Sequence, residues 1–301
     1  MSSMERVELT SAGVRLVGDL RVPAGDGPHA AIVFTGPLSG VKEQVAGHYA
    51  ERLGDAGFVT LAFDHRNFGE SGGEPRQHED PAGKLADLGD AVSFLQGRPE
   101  VDPDRIACCG ICLGGGYALR FSAFDPRIKA VAGIAGGYND PRAMRDGMGG
   151  EAYREMLATH AGIARRQAET GEVEYWAAVE TADDDRPAVM GGTEPAEYYA
   201  TDRSTSPGWT NHLTALSVRE LVTTDLAGGA DFISPTPFLV VHGRTDDYCT
   251  PANATNVYER AGDPKEIMWL DTTNHIDLYD QPQYVEPAVG ATVEWFRRWL
   301  G

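Results

Sequence analysis

The stretch Gly110-Ile111-Cys112-Leu113-Gly114-Gly115 separates an apolar run at residues 105–109 from a helical pattern at residues 117–121. A nucleophile elbow of the form Gly-x-Nuc-x-Gly needs this order of strand, sharp turn and helix, because the turn exposes its central side chain. The flanking glycines keep neighbouring backbone away from that side chain. A free thiol has a pKa of about 8.5, and the N-terminus of the following helix lowers it. The pattern therefore predicts Cys112 as a reactive thiolate.

Two other interpretations of this cysteine remain. A cysteine near a strand end commonly packs as a small core hydrophobe, and glycine spacings of this kind recur in a chain with 36 glycines. Cys109 and Cys112 also form a Cys-x-x-Cys pair, which is typical of redox and zinc sites. No second pair follows, and Cys249 is the one later cysteine in the chain. We therefore expect neither a metal ion nor a cofactor.

Length and composition narrow the class of protein. At 301 residues, of which 42% are hydrophobic, the chain is long enough for one large domain or for one domain with an insertion. Its first residues lack the basic and apolar regions of a signal peptide, and no run approaches the ~18 apolar residues of a membrane span. We therefore expect a cytoplasmic location. The 45 acidic and 26 basic residues give a net charge of −19, which argues against nucleic acid or an anionic membrane as a partner.

Strand and helix patterns alternate along the chain with short connections between them. Residues 7–10 and 14–20 predict a hairpin at a sheet edge. Further strands are predicted at residues 30–34, 58–63, 106–109, 128–134, 237–241 and 267–270, and helices at about residues 43–56, 85–95 and 287–300. This alternation predicts an α/β fold with a doubly wound, mostly parallel sheet.

The alternation stops over residues 138–235, which are polar with a mainly helical pattern. An insertion between two strands of such a sheet is best explained as a cap over the carboxyl ends of the strands, where ligands bind. We therefore expect a helical cap at residues 138–235 and a core formed by residues 1–137 and 236–301. Some aromatic residues of the cap are expected to form its own small core, and others to contact substrate. The candidates for substrate contact are Tyr138, Trp176, Tyr199 and Trp209.

Two further strand ends carry the residue types that activate a nucleophile. Asp246 and Asp247 follow one predicted strand, and His275 lies in the loop after the next. The order nucleophile, acid, histidine, with each residue beyond the carboxyl end of a strand, is the order that a hydrolase triad of this kind requires. Taken singly, the aspartate could shape a turn and the histidine could cap a loop. Their coincidence predicts the triad Cys112, Asp246 and His275, with Asp247 as the alternative acid.

Four segments together resemble the α/β-hydrolase superfamily: the elbow, residues 64–71, residues 242–246 and residues 275–280. The cysteine elbow is similar to that of dienelactone hydrolases and of cap-bearing relatives described as polyketide transferases. The resemblance implies an α/β-hydrolase fold. The chain departs from it in its long insertion. Dienelactone hydrolases also carry a glutamate that helps to set the charge of the cysteine, and Glu43 is the nearest candidate here.

A pair of backbone donors is expected to stabilise the oxyanion beside the nucleophile. The loop Thr35-Gly36-Pro37-Leu38 stands where many relatives have His-Gly. Pro37 has no N–H to donate. The expected donors are therefore the N–H groups of Leu38 and Leu113.

The residue types also predict a mechanism in which His275 takes the Cys112 proton, Asp246 orients the imidazole and the thiolate forms an acyl-enzyme. Hydrolysis of an ester, lactone or thioester of a small apolar or aromatic compound ranks first. Acyl transfer or cyclisation (thioesterase chemistry) in a polyketide-type pathway ranks second, and a non-catalytic small-molecule receptor ranks third. The expected partner is a small molecule. A carrier protein is weakly supported, because the arginines of residues 142–166 are interleaved with acidic residues. The sequence leaves the oligomeric state open.

Overall fold

The structure, a computed structural model, describes residues 2–204 and 206–301. Its strands are β1 (Ser3–Ser11), β2 (Val14–Val22), β3 (His29–Thr35), β4 (Val59–Phe63), β5 (Val101–Ile111), β6 (Ile128–Ile134), β7 (Tyr175–Val179), β8 (Ala188–Met190), β9 (Leu213–Thr214), β10 (Phe238–Gly243) and β11 (Lys265–Leu270). Its helices are α1 (Val45–Asp55), α2 (Pro81–Gln96), α3 (Leu113–Ser122), α4 (Pro141–Met148), α5 (Gly150–Thr170), α6 (Thr193–Tyr199), α7 (Leu216–Thr223), α8 (Pro251–Arg260), α9 (Asp277–Asp280) and α10 (Pro282–Leu300), with a 3-10 turn at Ala227–Asp231. Within the described residues, none of these helices is both long enough and apolar enough to cross a bilayer.

The main sheet has eight strands in the order β1-β2-β4-β3-β5-β6-β10-β11. The β1–β2 and β2–β4 pairs are antiparallel, and the pairs from β4 through to β11 are parallel. This topology confirms the predicted doubly wound α/β fold and its edge hairpin. The chain moves outward on one side of β3 to form β4, and then returns to form β5 on the other side. Ligands of open α/β sheets bind at such a reversal, at the carboxyl ends of the strands.

Strand β3 illustrates why the central strands are continuous apolar runs. Ala31 and Val33 pack into the core on one face of the sheet, and Ile32 and Phe34 pack into the core on the other. A strand that is covered on both faces has no position for a polar side chain to reach solvent. Successive residues of β3 face opposite sides of the sheet, but both sides are buried. The sequence of the strand is therefore apolar throughout and does not alternate between apolar and polar residues.

Two helices begin earlier than their apolar patterns indicate. Helix α10 begins at Pro282 instead of residue 287, because Pro282 occupies the first turn, where a missing N–H has no consequence. Pro287 therefore lies inside the helix. Helix α2 begins at Pro81, where the Asp80 side chain accepts a hydrogen bond from the N–H of Gly83 at 2.9 Å. Proline at the first helical position determines both starts, and in α2 a capping side chain contributes as well. A pattern of apolar residues contains no information about either feature.

Residues 138–235 carry helices α4 to α7 and also a small three-stranded sheet in the order β8-β7-β9. The sequence predicts a mainly helical segment here and does not predict this sheet. Strands β8 and β9 span 3 and 2 residues, which is too short to produce a recognisable alternation. The two ends of the segment meet, since the N–H groups of Leu226 and Ala227 both donate to the carbonyl of Asn139. The assignment of residues 138–235 as a separate cap stays a prediction.

Candidate active site

Cys112 occupies the sharp turn between β5 and α3, with φ of 55° and ψ of −128°. A non-glycine residue in such a conformation costs about 1–3 kcal/mol and persists only where its surroundings hold it. The flanking residues must be glycine for steric reasons: a Cβ atom at Gly110 would overlap the carbonyl of Gly114, and one at Gly114 would overlap the carbonyl of Thr35. The sequence pattern of the elbow therefore corresponds to real backbone contacts.

Three backbone hydrogen bonds hold the elbow in place. The N–H of Cys112 donates to the carbonyl of Ile134 at 3.0 Å, and its carbonyl accepts from the N–H groups of Gly115 at 2.8 Å and Gly137 at 2.6 Å. These bonds join the turn to the end of β6 and to the start of the inserted segment. The Cys112 side chain is partly exposed, in contrast to the fully buried Cys109. The turn therefore directs one thiol out of the core.

His275 and Asp246 form a buried pair beyond the ends of β11 and β10. Nδ1 of His275 lies 2.6 Å from Oδ2 of Asp246. The other oxygen of Asp246 accepts from the N–H groups of Tyr248 at 2.9 Å and Cys249 at 2.7 Å. Asp247 is exposed to solvent. Of the two aspartates that the sequence leaves open, Asp246 is the one that contacts the histidine.

A ring nitrogen of His275 and the sulfur of Cys112 lie within 4.8 Å of each other. A hydrogen bond with the Cys249 thiol, together with the positive charge of His275, outweighs burial and holds the pKa of Cys112 well below that of a free thiol. Burial lowers the pKa of His275, but the negative charge of Cys112 and the hydrogen bond to Asp246 raise it to about 10. The electrostatics therefore favour a thiolate–imidazolium pair over a neutral thiol and imidazole.

Two residues that the sequence analysis did not identify complete this cluster. The hydroxyl oxygen of Tyr279 lies 3.0 Å from Nε2 of His275. Burial and the nearby Cys112 charge raise the pKa of Tyr279 well above its usual value, so its hydroxyl stays protonated. The sulfur of Cys249 lies 3.8 Å from that of Cys112. The available signal was the spacing of four residues between His275 and Tyr279, which is the spacing of neighbours on one side of a helix; α9 itself begins at Asp277.

A cavity of about 280 Å³ opens at the partly exposed Cys112 side chain. Most of its lining is aliphatic or aromatic. The lining residues are Leu38, Cys112, Leu113, Gly137, Tyr138, Asn139, Met144, Val189, Met190, Val218, Leu221, Val222, Tyr248, Cys249 and Asn253. Leu38 and Leu113, the residues expected to supply the oxyanion donors, therefore both line this cavity. Leu113 is the first residue of α3, and the N–H groups of a first helical turn lack partners within the helix.

A family model described as "Serine aminopeptidase, S33" (Hydrolase_4) matches residues 28–282. The chain belongs to this α/β-hydrolase family. The family is named for a serine enzyme, whereas the elbow of this S33-family hydrolase holds a cysteine. The sequence-based recognition of the α/β-hydrolase superfamily is thereby confirmed.

Three proteins are similar to this hydrolase over most of its length. It is 33% identical to the uncharacterised protein PA2218 of Pseudomonas aeruginosa over 89% of this chain and 74% of that one. The crystal structure of PA2218 matches with a TM-score of 0.88 at 30% identity, over 99% of this chain and 94% of that one. Thiohydrolase aneE of Aspergillus aculeatus is 26% identical over 90% of this chain and 85% of its own length. Polyketide transferase grgF of a Penicillium species is 26% identical over 90% and 89%. The relatives therefore include both hydrolases and polyketide transferases.

The four aromatic residues of the hydrolase that were expected to contact substrate occupy different positions. Tyr138 lines the cavity at Cys112, and Tyr199 lines a smaller space of about 30 Å³ between Cys112 and His275. Trp209 lies behind Tyr199 and stacks on it at 5.5 Å. Trp176 lies elsewhere. Its ring packs on His160 at 5.4 Å and its Nε1 donates to Glu174, outside both spaces.

Trp176 is not among the residues that line the two spaces at Cys112, and its contact with substrate stays a prediction. Its position follows from the small sheet that the sequence did not predict, because β7 directs this side chain toward α5. Glu43 is misplaced as a charge-setting group for the cysteine. It lies 2.5 Å from Nζ of Lys42 and borders a separate, charged cavity. The Cys112 thiolate therefore depends on His275, Cys249 and Tyr279 instead.

Proposed function

We propose that this α/β-hydrolase cleaves an ester, lactone or thioester of a small apolar or aromatic compound through a covalent Cys112 acyl-enzyme. One observation carries the proposal: the exposed side chain of the strained elbow lies beside the buried His275–Asp246 pair and opens into an apolar cavity. A nucleophile, a base and an orienting carboxylate in this relation are the elements of acyl transfer.

The proposed reaction has two steps that share one histidine. The Cys112 thiolate attacks the substrate carbonyl, and the resulting oxyanion accepts hydrogen bonds from the N–H groups of Leu113 and Leu38. The His275 imidazolium then gives its proton to the leaving alcohol or thiol, which leaves a thioester on Cys112. In the second step His275 takes a proton from water as the water attacks this thioester. Cys112 departs as a thiolate, and the product is a free acid.

The nature of the nucleophile limits the substrate class. A thiolate is itself a good leaving group, so an amide nitrogen would be expelled less readily than the cysteine. Activated esters and thioesters expel an equally good or better leaving group, and the alkoxide of a lactone, protonated by His275, leaves more readily than an amide nitrogen. The name of thiohydrolase aneE fits cleavage of a thioester in a relative. We therefore place thioesters among the substrates to be tested first.

The cavity limits the size of the acyl group. Its volume of about 280 Å³ lies just below the range of about 300–1,000 Å³ that drug-sized ligands occupy. The side chains of Leu38, Val218 and Leu221 line it with hydrocarbon. An acyl group without charge therefore suits it best.

Acyl transfer to an alcohol or amine is the second candidate, and the similarity to polyketide transferase grgF favours it. Both reactions share the same acyl-enzyme and differ in whether a second nucleophile replaces water. A carrier-protein partner would be expected to meet a basic surface. Arg142, Arg145 and Arg166 instead pair with the carboxylates of Asp140, Asp146 and Glu174. We therefore propose a free small molecule as the substrate and water as the acceptor.

Intact-mass spectrometry on a panel of acyl thioesters and lactones tests this proposal. We expect a transient acyl adduct on the wild type, release of free acid, and neither with Cys112→Ala. Cys108→Ala is the matched control, because it removes a thiol that is fully buried on the same strand. A stable adduct that clears only after an alcohol or amine is added would indicate the transferase. Binding without an adduct or turnover would indicate a receptor.

A further inference from the structure

Cys112, Cys249 and His275 form a cluster of potential metal ligands that the acyl-transfer mechanism uses only in part. The two sulfurs are 3.8 Å apart, and one nitrogen of His275 lies within 4.8 Å of both. In the proposed reaction Cys249 forms no covalent bond and only hydrogen-bonds to the Cys112 sulfur. Its side chain is buried, and its N–H is held by Asp246, which fixes the loop that carries it. Both thiols are free.

The dimensions of the cluster fit a tetrahedral zinc ion. Two thiolates about 2.3 Å from a tetrahedral Zn²⁺ lie about 3.8 Å from each other. This equals the observed separation of the Cys112 and Cys249 sulfurs, 3.8 Å. The nitrogen of His275 lies within 4.8 Å of both sulfurs, and metal binding requires it to approach them more closely. Two sulfurs and one imidazole also match the ligand types that zinc prefers over magnesium or calcium.

The surroundings of His275 are those of a metal-ligating histidine. Its Nδ1 is committed to Asp246 at 2.6 Å, which leaves Nε2 as the nitrogen available to a cation. A carboxylate on the far nitrogen orients the ring and increases its basicity toward a metal. The hydroxyl of Tyr279, 3.0 Å from Nε2, is the one group in this cluster that a metal ion would have to displace.

We propose that Cys112, Cys249 and His275 bind a thiophilic divalent cation of the zinc type, with the fourth coordination position facing the apolar cavity. Binding releases the Cys249 proton to solvent, so that two thiolates balance the charge of the cation. An ion at this position occupies the nucleophile and blocks acylation. This last point rests on the proposed function, whereas the metal site itself does not.

The pair differs from the Cys-x-x-Cys motif in the sequence. Cys109 is fully buried in the core on one face of the sheet. Cys249 comes from the loop after β10, 137 residues from Cys112. The ligand set is thus assembled by the sheet topology, since β10 lies beside β6 and β6 lies beside β5.

Titration with Co²⁺ under a non-thiol reductant tests the site without any substrate. We expect a stoichiometric near-ultraviolet band of thiolate-to-cobalt charge transfer that Zn²⁺ abolishes. In Cys249→Ala the band should fall by about half or be lost, because one of two thiolate ligands is gone. Cys108→Ala should leave the band unchanged. A wild type without the band, or a Cys249→Ala protein with the full band, would overturn the proposal.

Two further variants separate metal binding from general loss of structure. Asp246→Asn should weaken Zn²⁺ binding by roughly 10–100-fold, because it removes the carboxylate behind the ligand. Tyr279→Phe should keep or increase the affinity, because it removes the competing hydroxyl; a clear decrease would contradict the assigned geometry. Micromolar Zn²⁺ should also inhibit turnover, with recovery after addition of a chelator. If the metal binds without inhibiting turnover, only the proposed blocking of acylation is overturned. If the protein has no turnover at all, the cobalt band still tests the metal site.

Discussion

Three side chains lower the pKa of the Cys112 thiol: Cys249, His275 and Tyr279. A thiolate that is held in this way is reactive at a lower pH than an ordinary cysteine. The intrinsic nucleophilicity of a thiolate decreases as its pKa decreases. The surrounding side chains therefore increase the fraction of Cys112 that is thiolate and reduce the reactivity of each thiolate. These contacts lead to two predictions, one on which of the two aspartates supports turnover and one on how the reactivity of Cys112 depends on pH.

Asp246→Asn should reduce kcat by about 10⁴, because loss of the carboxylate leaves the imidazole in the wrong tautomer. Asp247→Asn is the matched control. It makes the same chemical change one residue away on an exposed side chain, and should have little effect. Steady-state kinetics of the two variants on one activated ester give the comparison. A larger loss in Asp247→Asn would reassign the acid.

The alkylation of Cys112 by iodoacetamide should depend on pH differently from that of a free thiol. The lowered pKa of Cys112 means that the rate should already be near its plateau well below pH ~8.5, the value for a free cysteine. His275→Ala should move the profile to higher pH, because it removes the positive charge beside the sulfur.

The acylation rate should fall above about pH 10, where His275, with a pKa of about 10, loses the proton that it gives to the leaving group. A wild-type profile centred on the free-thiol value would contradict the assigned ion pair.

At the scale of elements, α7 forms one wall of the cavity that faces Cys112. Val218, Leu221 and Val222 of this helix line it, while Thr223 at the end of the same helix is exposed. The opposite wall comes from the elbow and the loop after β3, through Leu113 and Leu38. In the proposed reaction we therefore expect α7 to limit the length of the acyl group.

Val218→Trp should shorten the range of acyl chains that the enzyme accepts, because the larger side chain fills part of the cavity. We expect kcat/KM for short acyl thioesters to change little and that for long ones to fall by about 10–100-fold, as loss of contact with a few methylene groups implies. Thr223→Trp places the same side chain on the exposed end of α7 and should leave the chain-length profile unchanged. Equal losses at every chain length in Val218→Trp would show that α7 does not set it.

At the scale of the whole molecule, residues 138–235 are joined to the core more closely than a simple lid. Tyr138 and Ile233, near the two ends of the segment, are almost fully buried in the core. The Glu194 carboxylate of α6 accepts a hydrogen bond from the N–H of His275 at 2.7 Å. An excision from 138 to 235 would thus remove core side chains as well as the cavity wall. The contacts between Asn139 and residues 226 and 227 mark where the segment can be cut.

Replacement of residues 140–225 by a short linker retains Asn139 and the residues that bond to it, but it removes Tyr198, Tyr199 and Leu213 from the core. We therefore expect a folded protein of lower thermal stability. We expect turnover of bulky substrates to be abolished and hydrolysis of small activated esters to persist at a reduced rate. Circular dichroism and thermal melting provide the control for folding. Equal loss of both substrate classes in a folded protein would show that the segment supports the triad, through Glu194, as well as selecting the substrate.

The sequence alone predicted the fold class, which the structure confirms, and it named Cys112, Asp246 and His275 as a candidate triad, because apolar runs, glycines at a sharp turn and polar residues at strand ends are local patterns. It left the choice between Asp246 and Asp247 open, since both follow the same strand, and only burial and the 2.6 Å contact with His275 distinguish them. The starts of α2 and α10 depend on capping, and the short strands of the inserted segment are held by pairing partners distant in the chain. The approach of Cys249 and Tyr279 to Cys112, and the removal of Trp176 from it, were likewise decided only by the tertiary structure. Contacts between side chains on different strand-end loops depend on strand order and register, which no local pattern encodes.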